Sequence, residues 1–152
     1  MPPMLRFDRS EIKKIRDLFD ELDRTLVDAT DLFTDIQQKI LIPSAAKTFE
    51  AEGRPTKWKP LNAAYARHKR AKLGHTKILV WSGDLRNSVA TEAGNEFSIR
   101  DVGPYHMKLG TTRPYAEVHQ KSRPFLVVLD DDYEAIIDRA IDWFVQTGDY
   151  ET

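Results

Sequence analysis

The sequence predicts an α+β protein with a long N-terminal helix, a small antiparallel β meander and a C-terminal helix packed on the sheet. Three observations carry this. Apolar residues recur every three or four positions from Ile12 to Ile40, apolar and polar residues alternate around Phe97 and Ile99 and around Tyr105, Met107 and Leu109, and a one-sided apolar stripe returns behind three consecutive aspartates near the C-terminus. A chain of 152 residues, 41% hydrophobic and 31% charged, suits one domain over 1–152 and would leave two domains marginal. Within it the pattern sets out a helical arm (8–52), a basic loop or short helix (54–77), a β-rich core (78–129) and a C-terminal helix (130–147).

In the arm, Ile12, Ile15, Phe19, Leu22, Leu26, Ala29, Phe33, Ile36 and Ile40 form a coiled-coil seam, with Ser10 as N-cap. So long a seam exceeds what a small sheet can cover, and part of it is expected to meet another helix, in this chain or in a second copy. Pro43 either kinks or breaks the helix or opens a continuing one, and Gly53 reads as its C-terminal cap. Residues 62–73 can form a short basic helix ended by Gly74, or stay a loop.

For the core, residues 78–81 form a short apolar run, Ser82 can cap a helical turn that brings Leu85 and Val89 to one side, and 88–93 lead into Gly94-Asn95 as a hairpin turn with 96–102 returning. A third strand follows Gly103-Pro104. Residues 125–129 add an edge strand. The last helix opens on Asp130, Asp131 and Asp132 at the positive end of its dipole and carries Tyr133, Ile136, Ile137, Ala140, Ile141, Phe144 and Val145 on one stripe.

Charge is near zero overall, at −1, but lies in blocks. Residues 54–82 contain no acid and carry Arg54, Lys57, Lys59, Arg67, Lys69, Arg70, Lys72 and Lys77, whereas from residue 130 onward eight acids face Arg139 alone. These blocks are either two solvated faces or the halves of a head-to-tail contact between copies. In the second case Lys69, Arg70 and Lys72 would meet Asp131, Asp132 and Asp138, with Phe19, Leu22 and Leu26 supplying apolar seam.

The absence of cysteine excludes disulfides, thiolate metal sites and a cysteine nucleophile. No metal site is expected from His68, His75, His106 and His119: two lie among cations, and zinc-helix and calcium-loop spacings are missing. Phosphate-cradling glycine loops are also missing, so no cofactor is expected. A Ser122/His119/Asp130 hydrolase can be written on paper, yet no nucleophile elbow or oxyanion loop accompanies it; a hydrogen-bonding strut is the simpler role for His119. Trp58, Tyr65, His68 and His75 among bases allow a nucleic-acid-binding module. Trp58 is either an anchor for its loop or an interface hot spot, while Trp81, Phe125, Trp143 and Phe144 are expected in the core. The N-terminus has no apolar leader and no stretch spans a bilayer, which predicts a cytoplasmic site of assembly without membrane contact.

Four short words stand in a fixed order: Trp58-Lys59-Pro60-Leu61; Gly83-Asp84-Leu85-Arg86-Asn87-Ser88; Tyr115-Ala116-Glu117-Val118-His119-Gln120; and Arg123-Pro124-Phe125-Leu126. Together they resemble the phage virion morphogenesis family, the tail-completion proteins of long-tailed phages. The resemblance covers roughly residues 49–145 and departs from the family where only Lys121 and Ser122 separate Gln120 from Arg123, in place of a glycine-rich loop. It implies a non-enzymatic subunit of a homo-oligomeric ring, hexameric by analogy, at the head-proximal end of the tail. Its implied partners are the tail-tube protein and the neck or connector proteins, with DNA only as cargo and no small-molecule substrate. The acidic C-terminal helix is the first candidate for the lumen wall. A neck protein on the portal side is the alternative placement.

Overall fold

A computed structural model describes residue 10, residues 13–17, residue 20 and residues 28–147. Residues 13–17 are helical, but Asp28 and Ala29 are not, so the arm is not one continuous helix. The Asp28 carboxylate accepts the Thr30 N–H at 2.9 Å, a local bond that competes with helix continuation.

Helix α1 (Thr30–Ile36) runs through a π-helical turn (Gln37–Leu41) into α2 (Ile42–Glu50). Pro43 therefore opens a continuing helix. Its ring would strike the Lys39 carbonyl in a regular α-turn, and the wider π-turn just upstream relieves that contact. Gln37, buried within this turn, donates to the Lys108 carbonyl at 3.0 Å and ties the rod to the sheet. The rod ends in a Schellman motif, with Gly53 N–H on the Thr48 carbonyl (2.9 Å) and Glu52 N–H on that of Phe49 (3.2 Å). Glu52, not glycine, takes the left-handed position at φ 52°.

Helix α3 (Ala63–Leu73) is capped by the Asn62 side chain on the Tyr65 N–H and stopped by left-handed Gly74. Next come α4 (Asp84–Ala90), β1 (Ser98–Gly103), β2 (His106–Thr111), α5 (Ala116–Ser122) and α6 (Asp130–Thr147). Strands β1 and β2 pair antiparallel from Ser98↔Thr111 to Gly103↔His106.

The α+β class holds, but the described residues contain a two-stranded sheet and not the wider meander. Each missing strand has a local cause. Leu79 sits at φ 59°, outside extended geometry, which breaks residues 78–81 as a strand. The helical turn expected behind Ser82 forms as α4, but it runs on through residues 88–90, where the first arm of a hairpin was expected, since left-handed Gly83 turns the chain into the helix and the Ser88 hydroxyl bonds back to the Leu85 carbonyl at 2.7 Å. Residues 125–129 lack a strand partner because the backbone of Phe125 and Leu126 is bonded by a side chain.

Two cores result. Phe49, Trp58, Ile78, Leu85, Val89, Ala116 and Phe125 bring α2, α4 and α5 together. Ala29 and Ile36 of the seam and Leu32 beside it pack with Trp143, joined by the seam residues Phe33 and Ile40 and by Ile136 and Phe144. In its described half the seam thus meets the chain's own last helix. Helix α6 lies chiefly on α1 and the π-turn, with Met107 reaching that cluster from β2. Phe19, Leu22 and Leu26 lie outside the described residues.

Candidate assembly site

Three of the four sequence words meet at one knot. Trp58 is buried with its indole N–H on the Pro124 carbonyl at 2.8 Å, and its ring meets Phe49 edge-on at 5.5 Å. It is a loop anchor, and Phe125 completes the aromatic contact 5.9 Å from Phe49. Arg123 Nε donates to the Lys59 carbonyl at 3.0 Å, so Trp58-x-Pro-Leu and Arg-Pro-Phe-Leu are fastened twice. Pro60 is exposed, Leu61 packs at the edge of the core and Pro124 supplies the accepting carbonyl.

Gln120 fastens the third word. Its Oε1 accepts the Phe125 and Leu126 N–H groups at 3.1 Å each, and its Nε2 donates to the Leu126 carbonyl at 2.8 Å. Buried backbone groups that a neighbouring strand would satisfy are satisfied by one amide. The strut expected of His119 is thus formed by the residue beside it.

The remaining word builds a turn. Left-handed Gly83 precedes α4, Leu85 and Ser88 are buried, and Arg86 lies beside Asn87 at 3.4 Å. Within that word, Asp84 pairs with Arg113, whose guanidinium also lies 3.7 Å over the Phe97 ring. Arg113 was not singled out in the sequence, and neither was Glu52. Glu52 holds the knot through its backbone carbonyl, which accepts Trp58 N–H at 2.7 Å, and through its carboxylate, which accepts Ile78 N–H at 3.0 Å. The Gly-Asp-Leu-Arg spacing could have flagged Asp84; no local signal marks Glu52.

Beside the knot lies a cleft of about 580 Å³, with Tyr65, Trp81, Tyr115 and His119 on its walls and Arg123 at one side. Trp81 is 45% exposed here rather than in the core, with Tyr65 and His68 each 6.4 Å away. Burial, and then the Arg123 charge, push the His119 pKa below its ordinary value. Its ring meets Tyr115 edge-on at 5.7 Å. Among the described residues no hydrogen bond joins His119 to Ser122 or Asp130; the Ser122 hydroxyl bonds the Val118 carbonyl of its own helix at 3.3 Å. Nor do three His, Asp or Glu side chains there gather as metal ligands.

Two members of the predicted contact set are turned inward. Lys69 is 2% exposed, with its ammonium on the Lys77 carbonyl and its pKa pushed down by burial. Asp132 is buried and accepts both the Ser44 hydroxyl (2.7 Å) and the Leu129 N–H (3.0 Å), so it closes α6 onto α2. Both groups are committed within the chain and are unavailable to a second copy. Arg70, Lys72, Asp131 and Asp138 are exposed and make no ion pair among the described residues. Arg139 reaches across to Asp35 on α1, which leaves the acidic face of α6 without its one base.

The site is thus a knot of side-chain and backbone hydrogen bonds beside an aromatic cleft, with exposed bases on α3 and exposed acids on α6. The chain matches the sequence profile of the phage virion morphogenesis family over residues 10–122 and belongs to that family. It has no match among curated proteins or solved structures. The match ends before Arg123-Pro124-Phe125-Leu126, yet the Gln120 and Trp58 bonds show that this last word completes the same knot. Among the described residues no helix is long and apolar enough to cross a membrane.

Proposed function

We propose that the chain is a non-catalytic tail-completion or tail-terminator subunit, which closes with its own copies into a ring at the head-proximal end of a phage tail and takes part in joining it to the head. Membership of the virion morphogenesis family is the observation that carries this reading. The separated charge blocks support it: a ring needs a heterologous interface, one patch meeting a different patch on the next copy. A hexamer with tail-tube and neck proteins as neighbours follows by analogy, and DNA passes only as cargo.

The test is loss of the chain in the phage or prophage that encodes it. Tail completion requires filled heads and unjoined tails of uncontrolled length to accumulate. Placement on the portal side of the neck, the alternative, would leave tails of normal length and heads that lose DNA. Normal infectious particles would refute both.

A second reading, single-stranded nucleic-acid binding, is favoured by the exposed Tyr65, His68 and Trp81 beside Arg67 and Arg70. It requires a gel shift that weakens steeply with salt.

A further inference from the structure

Most of the large apolar side chains exposed among the described residues fall on two patches of opposite charge. One is the cleft, where Tyr65, Trp81 and Tyr115 are each at least 40% exposed. Its surround is cationic. Lys72 follows Tyr65 and Lys69 along one face of α3, Lys59 precedes the cleft residue Leu61, and both lysines are exposed without an acidic partner among the described residues. Asp84, the acid lining the cleft, is neutralised by Arg113.

The other patch is a ridge on α6. Ile137, Ile141 and Val145 recur every four residues and are 37%, 46% and 71% exposed, while the opposite edge of the helix buries Trp143 against α1. Glu134 and Asp138 flank the ridge on its solvent side, exposed and without a cation among the described residues.

We propose that the α6 ridge of one copy seats in the aromatic, cationic cleft of the next, giving the head-to-tail contact of the ring. This rests on the ring reading of the preceding subsection and names its two surfaces. Charge complementarity selects the occupant: an apolar ridge with an acidic flank fits an aromatic cleft with a basic rim, and the chain carries one of each. Burial of Ile137, Ile141 and Trp81 supplies affinity, and the opposed charges set register. Repeated with the same rotation from copy to copy, one ridge in one cleft is the heterologous contact that closes a ring, whereas a wild-type species that stops at a dimer would mean that ridge and cleft engage reciprocally across a two-fold axis and would overturn the ring contact. The acidic residues of α6 then serve the neighbour contact in place of a lumen wall.

Reversed charges test this in the full chain. Lys59→Glu/Lys72→Glu makes the cleft acidic, and Glu134→Lys/Asp138→Lys makes the ridge basic; none of the four side chains is buried, so folding is checked by an unchanged melting temperature. By native mass spectrometry, wild type is expected as a multimer, each double variant alone as a monomer, and their equimolar mixture as a multimer again, because each variant's cleft now complements the other's ridge. A wild-type multimer that neither variant disturbs overturns these surfaces while leaving the ring intact. Wild type that stays monomeric at every concentration overturns the ring reading and this contact together. Two further outcomes overturn it: a ridge variant that still self-associates but melts several degrees lower, which would place this chain's own N-terminal segment on the ridge, or a cleft variant that changes only oligonucleotide binding.

Discussion

Gln120 grips Leu126 in both directions, its Oε1 accepting the Leu126 N–H at 3.1 Å and its Nε2 donating to the Leu126 carbonyl at 2.8 Å. The amide stands in for a strand. It lets an extended segment end at the knot with its backbone satisfied and leads directly into α6, whose position on α1 therefore depends on a residue of the preceding short helix.

Replacing Gln120 with alanine leaves two N–H groups and a carbonyl without partners, and a loss of about 1–3 kcal/mol in unfolding free energy is expected. Gln120→Glu keeps the two acceptor contacts but turns a carboxylate oxygen toward the Leu126 carbonyl, so it also destabilises. Urea melts of the two variants against wild type measure both.

Trp58 separates hydrogen bonding from packing. Trp58→Phe removes the donor to the Pro124 carbonyl and is expected to cost about 1 kcal/mol. Trp58→Ala also empties the pocket against Phe49 and is expected to cost about 3–5 kcal/mol. Equal losses in thermal melts of the two variants would mean that the Phe49 contact contributes nothing.

Two left-handed glycines are expected to answer differently to alanine. At Gly53 (φ 118°) a Cβ would come within 2.4 Å of the Trp58 nitrogen and 2.5 Å of the Thr56 carbonyl oxygen, all backbone. Gly53→Ala should therefore cost about 3 kcal/mol or more. At Gly74 (φ 73°) nothing lies within 4 Å, and Gly74→Ala should cost only the left-handed penalty of about 1 kcal/mol. Chemical denaturation of both checks the order.

Acid should weaken the fold in two windows. The folded His119 resists protonation, chiefly through burial and then through Arg123, so its pKa lies below the ordinary 6.5. As pH falls below that value the unfolded chain takes up a proton that the folded chain refuses; stability is full above it and declines beneath it. His119→Gln should flatten the slope of melting temperature between neutral and mildly acidic pH. Asp35 acts lower: the Arg139 hydrogen bond holds its carboxyl below 3.8, so its contribution is present above that value and is lost as pH falls beneath it. Arg139→Met should reduce that second decline, leaving the part due to the Lys39 ammonium 3.1 Å from the same carboxylate.

The helices were legible where side-chain pattern and end signals agreed. The stripe from Tyr133 to Val145 behind three aspartates marked α6, whereas 62–73 stayed open between helix and loop, and the Asn62 side chain on the Tyr65 N–H decides it for α3. The sheet was overread because apolar residues at 78–81, 88–93 and 125–129 mark burial without fixing backbone geometry. Leu79 adopts a left-handed φ, 88–90 continue the helix behind Gly83, and 125–126 bond to Gln120 in place of a strand. The sequence words were visible as words. Their joining was not, because the Trp58–Pro124 and Arg123–Lys59 bonds span 66 and 64 residues and leave no local trace. Lys69 and Asp132 counted as surface charge by residue type alone, and their burial depends on which carbonyl, hydroxyl or N–H the fold brings beside them.

The place of the chain in the particle tests the central claim most directly. Purified virions carrying a gold-labelled epitope on this chain, imaged by electron microscopy, should show the label at the head–tail junction in a fixed number of copies. Label at the distal tip of the tail, or virions that contain none of the chain, would contradict the account.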